Sequence, residues 1–225
     1  MKPTKLILSL IVMGCSLLSF TAQAQDSSLG NWMMYFGSKK FQEKWNWHSE
    51  VQYRNYNAIG DLEQLLLRTG IGYDLSENNN NFLVGYGYIL SQNYIGDTDE
   101  KADVNEHRIF QQFITKQKFG RTALQHRYRF EQRFVEDDFK LRFRYFLGVH
   151  VYFNNTSLED GTWHLSMYNE IFLNTEQNVF DRNRLYGAIG YKLNKMFRFE
   201  LGYMNQFLAG GSNRDQINMA TFVSW

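Results

Sequence analysis

The sequence predicts an all-β fold, a transmembrane antiparallel up-and-down β-barrel of about 10 to 12 strands of the outer-membrane type. Three observations predict it. Segments of about ten residues alternate apolar with polar side chains, most clearly Trp45 to Arg54 (WNWHSEVQYR), Leu124 to Phe134 (LQHRYRFEQRF) and Phe197 to Phe207 (FRFELGYMNQF), and a period of two over that length is a strand with one apolar and one wet face. An export signal opens the chain, and the single proline, Pro3, lies inside it, so no proline interrupts the ladders that follow.

The export signal is read from Lys2 and Lys5, the apolar run Leu6 to Phe20 and the small-x-small site Ala22-Gln23-Ala24. Cleavage after Ala24 divides the chain into a signal peptide, 1–24, and one barrel domain, 25–225. A lipoprotein site at Val12-Met13-Gly14-Cys15 is the rival; Met before the Gly and an apolar run that continues past Cys15 argue against it. Cys15 is the only cysteine, so the mature chain has no thiol, and burial and hydrogen-bond ladders must hold it. Removing Lys2 and Lys5 leaves 22 Lys+Arg against 23 Asp+Glu, a balance that argues against a nucleic-acid partner. After the signal, no apolar run approaches the ~18 residues of a spanning helix.

The elements follow in chain order. Span 31 to 38 comes first, then 45 to 56, where Trp45, Trp47, Val51 and Tyr53 share one face and Asn46, His48, Glu50, Gln52 and Arg54 the other. Spans 62 to 75 and 82 to 94 carry Gly70, Gly72, Gly85 and Gly87, glycines that relieve crowding or permit curvature and do not form a phosphate loop. Spans 106 to 119 and 122 to 134 meet at the tight turn Phe119-Gly120-Arg121. Span 140 to 153 presents Leu141, Phe143, Tyr145, Leu147, Val149, Val151 and Phe153 on one side, and span 162 to 173 turns His164 and Ser166 to the other. Spans 183 to 193 and 196 to 208 flank the short turn Asn194-Lys195; span 216 to 225 ends the chain. The longer polar connections, Ile95 to Asn105 and Ala209 to Asp215, fall on the side opposite both tight turns, as expected for outer loops and periplasmic turns. The count of spans is odd, whereas bacterial single-chain barrels have even numbers. Ten or twelve strands are therefore expected, with one span over-read, a strand missed near Gln25 to Trp32, or an N-terminal segment returning through the lumen.

Alternation alone also fits a soluble periplasmic β-sandwich. Aromatic residues at strand ends (Trp45, Tyr56, Phe82, Tyr94, Phe119, Phe134, Trp163, Phe172) match the interfacial girdles of a membrane barrel and favour the latter. Ile217, Met219, Thr221, Val223 and Trp225 share a face, and this end resembles the C-terminal strand of outer-membrane barrels, in which a terminal aromatic is the signal read by the assembly machinery. Lys44-Trp45, Gly85-Tyr86-Gly87-Tyr88, Glu106-His107-Arg108 with Gln111, and the run His126 to Phe134 (HRYRFEQRF) resemble the outer-membrane barrel family known as domain of unknown function 2490. That resemblance covers nearly the whole mature chain. It implies an outer-membrane barrel, with outer-membrane lipid and the barrel assembly machinery as partners, and no assigned activity.

The inward faces hold the candidate chemistry. Pairing Val135 with Lys140 across their turn sets Glu131 against Arg144 and Arg133 against Arg142, and pairing Phe119 with Thr122 sets Arg108 against Arg133. Arg108, Arg133 and Arg142 then lie side by side with Glu106 and Glu131 diagonal to them, in a lumen charge network that also takes in Arg127, Arg129 and Arg144. Such a set either braces a filled lumen or forms an anion-attracting constriction. A lipid-modifying enzyme would need an outward Ser/His pair. His126 faces outward beside Thr115 and Val149 without a serine, and His164 and Ser166 face inward without an evident acidic orienter. The five histidines show no metal-ligand spacing, and no cofactor is expected. The sequence thus points to an outer-membrane barrel of structural or small-solute pore type, the alternatives being a lipid-modifying enzyme and a soluble sandwich-type binding protein.

Overall fold

Strands that are apolar on one face along their whole length must bury that face against protein or give it to lipid, and a sheet that closes on itself does so without leaving an open edge. The computed structural model describes residues 29–77, 79–175 and 178–225. The expected signal peptide, Cys15 and Pro3 lie outside them. The described residues form β1 (Leu29–Lys40), β2 (Trp45–Asn55), β3 (Leu62–Asp74), β4 (Asn80–Tyr94), β5 (Lys101–Phe119), β6 (Thr122–Val135), β7 (Asp138–Tyr152), β8 (Trp163–Asn174), β9 (Phe180–Lys192), β10 (Phe197–Leu208) and β11 (Asn213–Ser224). Each pairs antiparallel with its sequence neighbour, and β1 closes the barrel on β11.

That closure corrects the expectation of an even number. Every hairpin reverses direction, so the first and last strands of an odd set run the same way and can close only in parallel. β1 and β11 do so from Leu29 against Asp215 to Ser38 against Ser224. Parallel pairing is slightly weaker per residue, but it removes both free edges. None of the spans is over-read; the segment proposed to return through the lumen precedes Leu29 and lies outside the described residues.

The faces follow the alternation. Trp45, Trp47, Val51 and Tyr53 are exposed on the outside of β2, while Glu50, Gln52 and Arg54 are buried inside. Among the described residues, buried polar and charged side chains outnumber buried apolar ones by 22 to 11, the reverse of a soluble core. Outside, aromatic pairs ring both ends. Trp45–Tyr73, Trp47–Trp225 and Trp163–Tyr191 lie at the end where β11 finishes, and Tyr56–Tyr94, Phe134–Phe139 and Phe180–Phe207 lie at the other.

Loop lengths separate the two ends less well than expected. The tight 120–121 turn shares its end with 153–162, the longest connection among the described residues, and the opposite end carries 95–100 together with the two-residue turn 136–137. The two connections expected to be long and outward, Ile95 to Asn105 and Ala209 to Asp215, shrink because Lys101 to Asn105 extend β5 along Tyr94 to Leu90, and because β11 begins at Asn213.

Candidate functional site

The interior is built where inward positions of β5 to β9 converge. Two turns set its register. Gly120, at φ 56°, closes β5 onto β6 with Phe119 against Thr122, so Arg108 faces Arg133 as the sequence predicts. The next turn corrects the prediction by two residues. Val135 pairs with Asp138 through Glu136-Asp137, Glu136 adopting a left-handed φ of 48°, which places Glu131 against Arg142, Arg129 against Arg144 and Arg133 against Lys140. A two-residue hairpin follows the right-handed twist of the strands more closely than the four-residue turn expected. A shift of two preserves which side chains face inward, so the faces are correct although the partners change. The row Arg108–Arg133–Arg142 therefore stops at Arg133.

Carboxylates answer the remaining like-charge contacts. Glu106 lies between Arg108 and Arg133: Arg108 donates through Nε and Nη2, the latter at 2.8 Å, and Arg133 donates through Nε at 2.6 Å and Nη2 at 2.9 Å. Glu131, fully buried, accepts from Arg142 Nε and Nη2 at 2.9 and 2.7 Å and from Arg144 Nη1 at 2.7 Å, with Arg129 Nη1 3.7 Å away. Arg129 donates mainly to Gln112 Oε1. Glu170 Oε1 accepts from Arg144 Nε at 3.1 Å, Arg144 Nη2 at 2.7 Å and Arg127 Nη2 at 2.7 Å. All eight residues of the predicted network thus lie in ion-paired sets, Glu106–Arg108–Arg133 in one and Arg127, Arg129, Glu131, Arg142 and Arg144 in another, the second linked through Glu170.

Sequence reading missed Glu170, Asp181, Arg184 and Arg68, and it placed Glu50 on the wet face without joining it to the network. Asp181 lies 3.2 Å from Arg142, and Arg68 donates to Glu50 at 2.9 Å. Carrying the alternation of β3, β8 and β9 through as far as that of β2 and β6 would have placed all but Asp181 inward. Rings supply part of the balance for the arginines. The guanidinium of Arg54 lies 3.8 Å from the Trp32 ring, and Phe172 has Arg144 and Arg184 at 4.3 and 4.6 Å. Desolvated cation–π contacts of this kind contribute about 2 kcal/mol each. The inward glycines make room: a Cβ on Gly85 would collide with the Phe110 ring, and one on Gly87 would press on Arg68.

Two other predicted readings change. His126 is on the outer face, but its partner on β7 is Leu147 and not Val149, and its Nδ1 lies 2.8 Å from the Tyr145 hydroxyl. His164 does have an acidic neighbour, Glu200 Oε1, 3.2 Å from its Nε2, and His150 joins them so that one donor atom from each of the three lies within 4.8 Å of the others. Three registers produce this: His164 and Glu200 both stand opposite Gly190, which has no side chain to part them, and His150 sits opposite Ser166. Trp225 is 40% exposed on the outer face, donates its N–H to Ser38 O at 3.2 Å and meets Trp47 edge-on.

The arginine–carboxylate sets tie neighbouring walls of the barrel together. No curated protein and no solved structure matches this chain. The model of a family described as a protein of unknown function, DUF2490, matches residues 29–218, from the start of β1 into β11, and the chain belongs to that family.

Proposed function

We propose that this protein is an outer-membrane β-barrel of structural type, exported by the cleaved signal peptide 1–24, seated in lipid and braced shut by its Arg/Glu interior. The observation that carries this reading is the inverted distribution of side chains: Leu185, Leu201 and Phe143 are 63, 61 and 50% exposed, while Glu131 is 0% and Arg142 4% exposed. An apolar belt of that extent on a soluble protein would drive association, whereas lipid satisfies it. Trp225 serves as the label read by the assembly machinery. The filled interior favours bracing over conduction.

An anion-conducting barrel is the second reading. It draws on the excess of buried arginines (Arg54, Arg68, Arg108, Arg129, Arg142, Arg144, Arg184) over buried glutamates (Glu50, Glu106, Glu131, Glu170, Glu200). Planar-bilayer recording of the refolded mature chain separates the two. A braced barrel leaves the bilayer silent; a pore gives unitary steps whose anion preference falls or reverses in Arg133→Glu. Partition of the native protein into the soluble periplasmic fraction would overturn both.

A further inference from the structure

We infer that His150, His164 and Glu200 form a binding site for a divalent transition-metal ion, zinc by preference, inside the barrel near the end where β11 finishes. Two imidazoles and a carboxylate are the donor set of open zinc centres, and nitrogen donors select transition metals over magnesium or calcium. One donor atom from each lies within 4.8 Å of the others. A tetrahedral zinc shell has donor–donor edges of about 3.3 Å, so side-chain rotations that close the cluster by about 1.5 Å bring it to bonding distance.

Two independent features point to a ligand. His164 is fully buried; its Nε2 already lies 3.2 Å from Glu200 Oε1, and its Nδ1 has no hydrogen-bond partner among the described residues, an expensive condition for a ring nitrogen that a metal or a bound water at Nδ1 would relieve. Gly190 lies directly beneath the ring: a Cβ there would overlap His164 Nε2 and Cε1 and press on Glu200, so the strand leaves this position open for the two ligands to meet. The ring of His150 lies 5.6 Å from that of His164 and is only partly buried. With three protein donors, the fourth position falls to water or a small anion.

Arg198 is the competitor. It donates to Glu200 Oε1, its Nη1 lies 3.5 Å from His164 Nε2, and it stacks on the Phe222 ring at 3.5 Å. Tyr186 reaches the other oxygen, Oε2, at 3.4 Å. Metal entry therefore uses Oε2 or displaces the guanidinium from Oε1. In both, its positive charge opposes the ion, so removing it tightens binding.

The test uses the mature chain folded in detergent, stripped with chelator, incubated with zinc and dialysed. About one zinc per chain is expected for the wild type. Loss of zinc is expected for His150→Gln, a substitution at the partly exposed member, provided its unheated-gel mobility is still that of the folded barrel. Cobalt in place of zinc should give the intense visible bands of a low-coordinate nitrogen site. No retained zinc in the wild type, or full retention in folded His150→Gln, overturns the assignment. Should His150→Gln fail to fold, Arg198→Gln decides: tighter zinc binding than the wild type supports the site, and unchanged or weaker binding refutes it. None of these readouts depends on whether the barrel conducts or where it resides.

Discussion

Leu201→Arg tests the proposed contact of the apolar belt with lipid most directly. Leu201 lies on the outer face of β10, 61% exposed, between Ile189 of β9 and Met219 of β11, themselves 46 and 41% exposed. On a barrel standing in water, replacing so exposed a leucine changes stability by no more than about 0.5 kcal/mol, roughly a factor of two in the folding equilibrium. In a bilayer, an arginine near the midplane costs about 2–4 kcal/mol, roughly 30- to 1,000-fold, whereas one near the interface costs about 0–1 kcal/mol. Phe207→Arg, on the same face near the far end of β10, supplies the interfacial control. Urea unfolding of each variant from phospholipid vesicles, followed by tryptophan emission, measures the difference. Leu201→Arg within about 0.5 kcal/mol of the wild type, or a penalty at Phe207 equal to that at Leu201, would refute the membrane assignment.

The interior gives two further expectations, and the outer face a third. Glu131→Gln weakens the contacts that hold Arg142 and Arg144 without changing side-chain volume; unfolding should be easier by about 3–5 kcal/mol, a lowered urea midpoint being the readout. Gly85→Ala forces a methyl into the Phe110 ring and should cost about 1–3 kcal/mol, a loss that Phe110→Leu in the same chain recovers in part. Trp225→Ala should lower the amount of barrel recovered from the outer-membrane fraction of cells while leaving refolding in detergent intact; equal loss in both settings would make Trp225 a packing residue of the Trp47 contact and not a label.

Period-two alternation was enough to find every strand, because a half-wet sheet writes its faces directly into the chain. Register was legible only where the turn was unambiguous. Gly120 fixed Arg108 against Arg133, but Val135 to Lys140 admitted a hairpin of two or four residues, and the structure adopts the shorter. The error left Glu131 and Arg142 facing inward, because a two-residue slip preserves the pleat. Illegible features were those that depend on several registers at once. Bringing His150, His164 and Glu200 together requires the β7–β8, β8–β9 and β9–β10 pairings, and recognition that Gly190 leaves a gap between two of the ligands. The parallel seam was hidden for another reason: no local signal in Leu29 to Lys40 names a partner so distant in sequence as β11.

That seam also constrains how the chain could be rewired. In a barrel with an even number of strands, the start of the first and the end of the last lie side by side, and a short peptide can join them to make a circular permutant. Here Leu29 stands beside Asp215 and Ser224 beside Ser38, so the two points to be joined are separated by a strand length of about 30 Å. A connector would have to run through the interior, past its buried side chains, or along the apolar wall, where in the lipid proposed above its unpaired backbone groups could not be satisfied. Cutting this chain in any other loop and fusing its old ends with a short linker should therefore abolish the barrel, which makes the native order of strands a condition of the architecture.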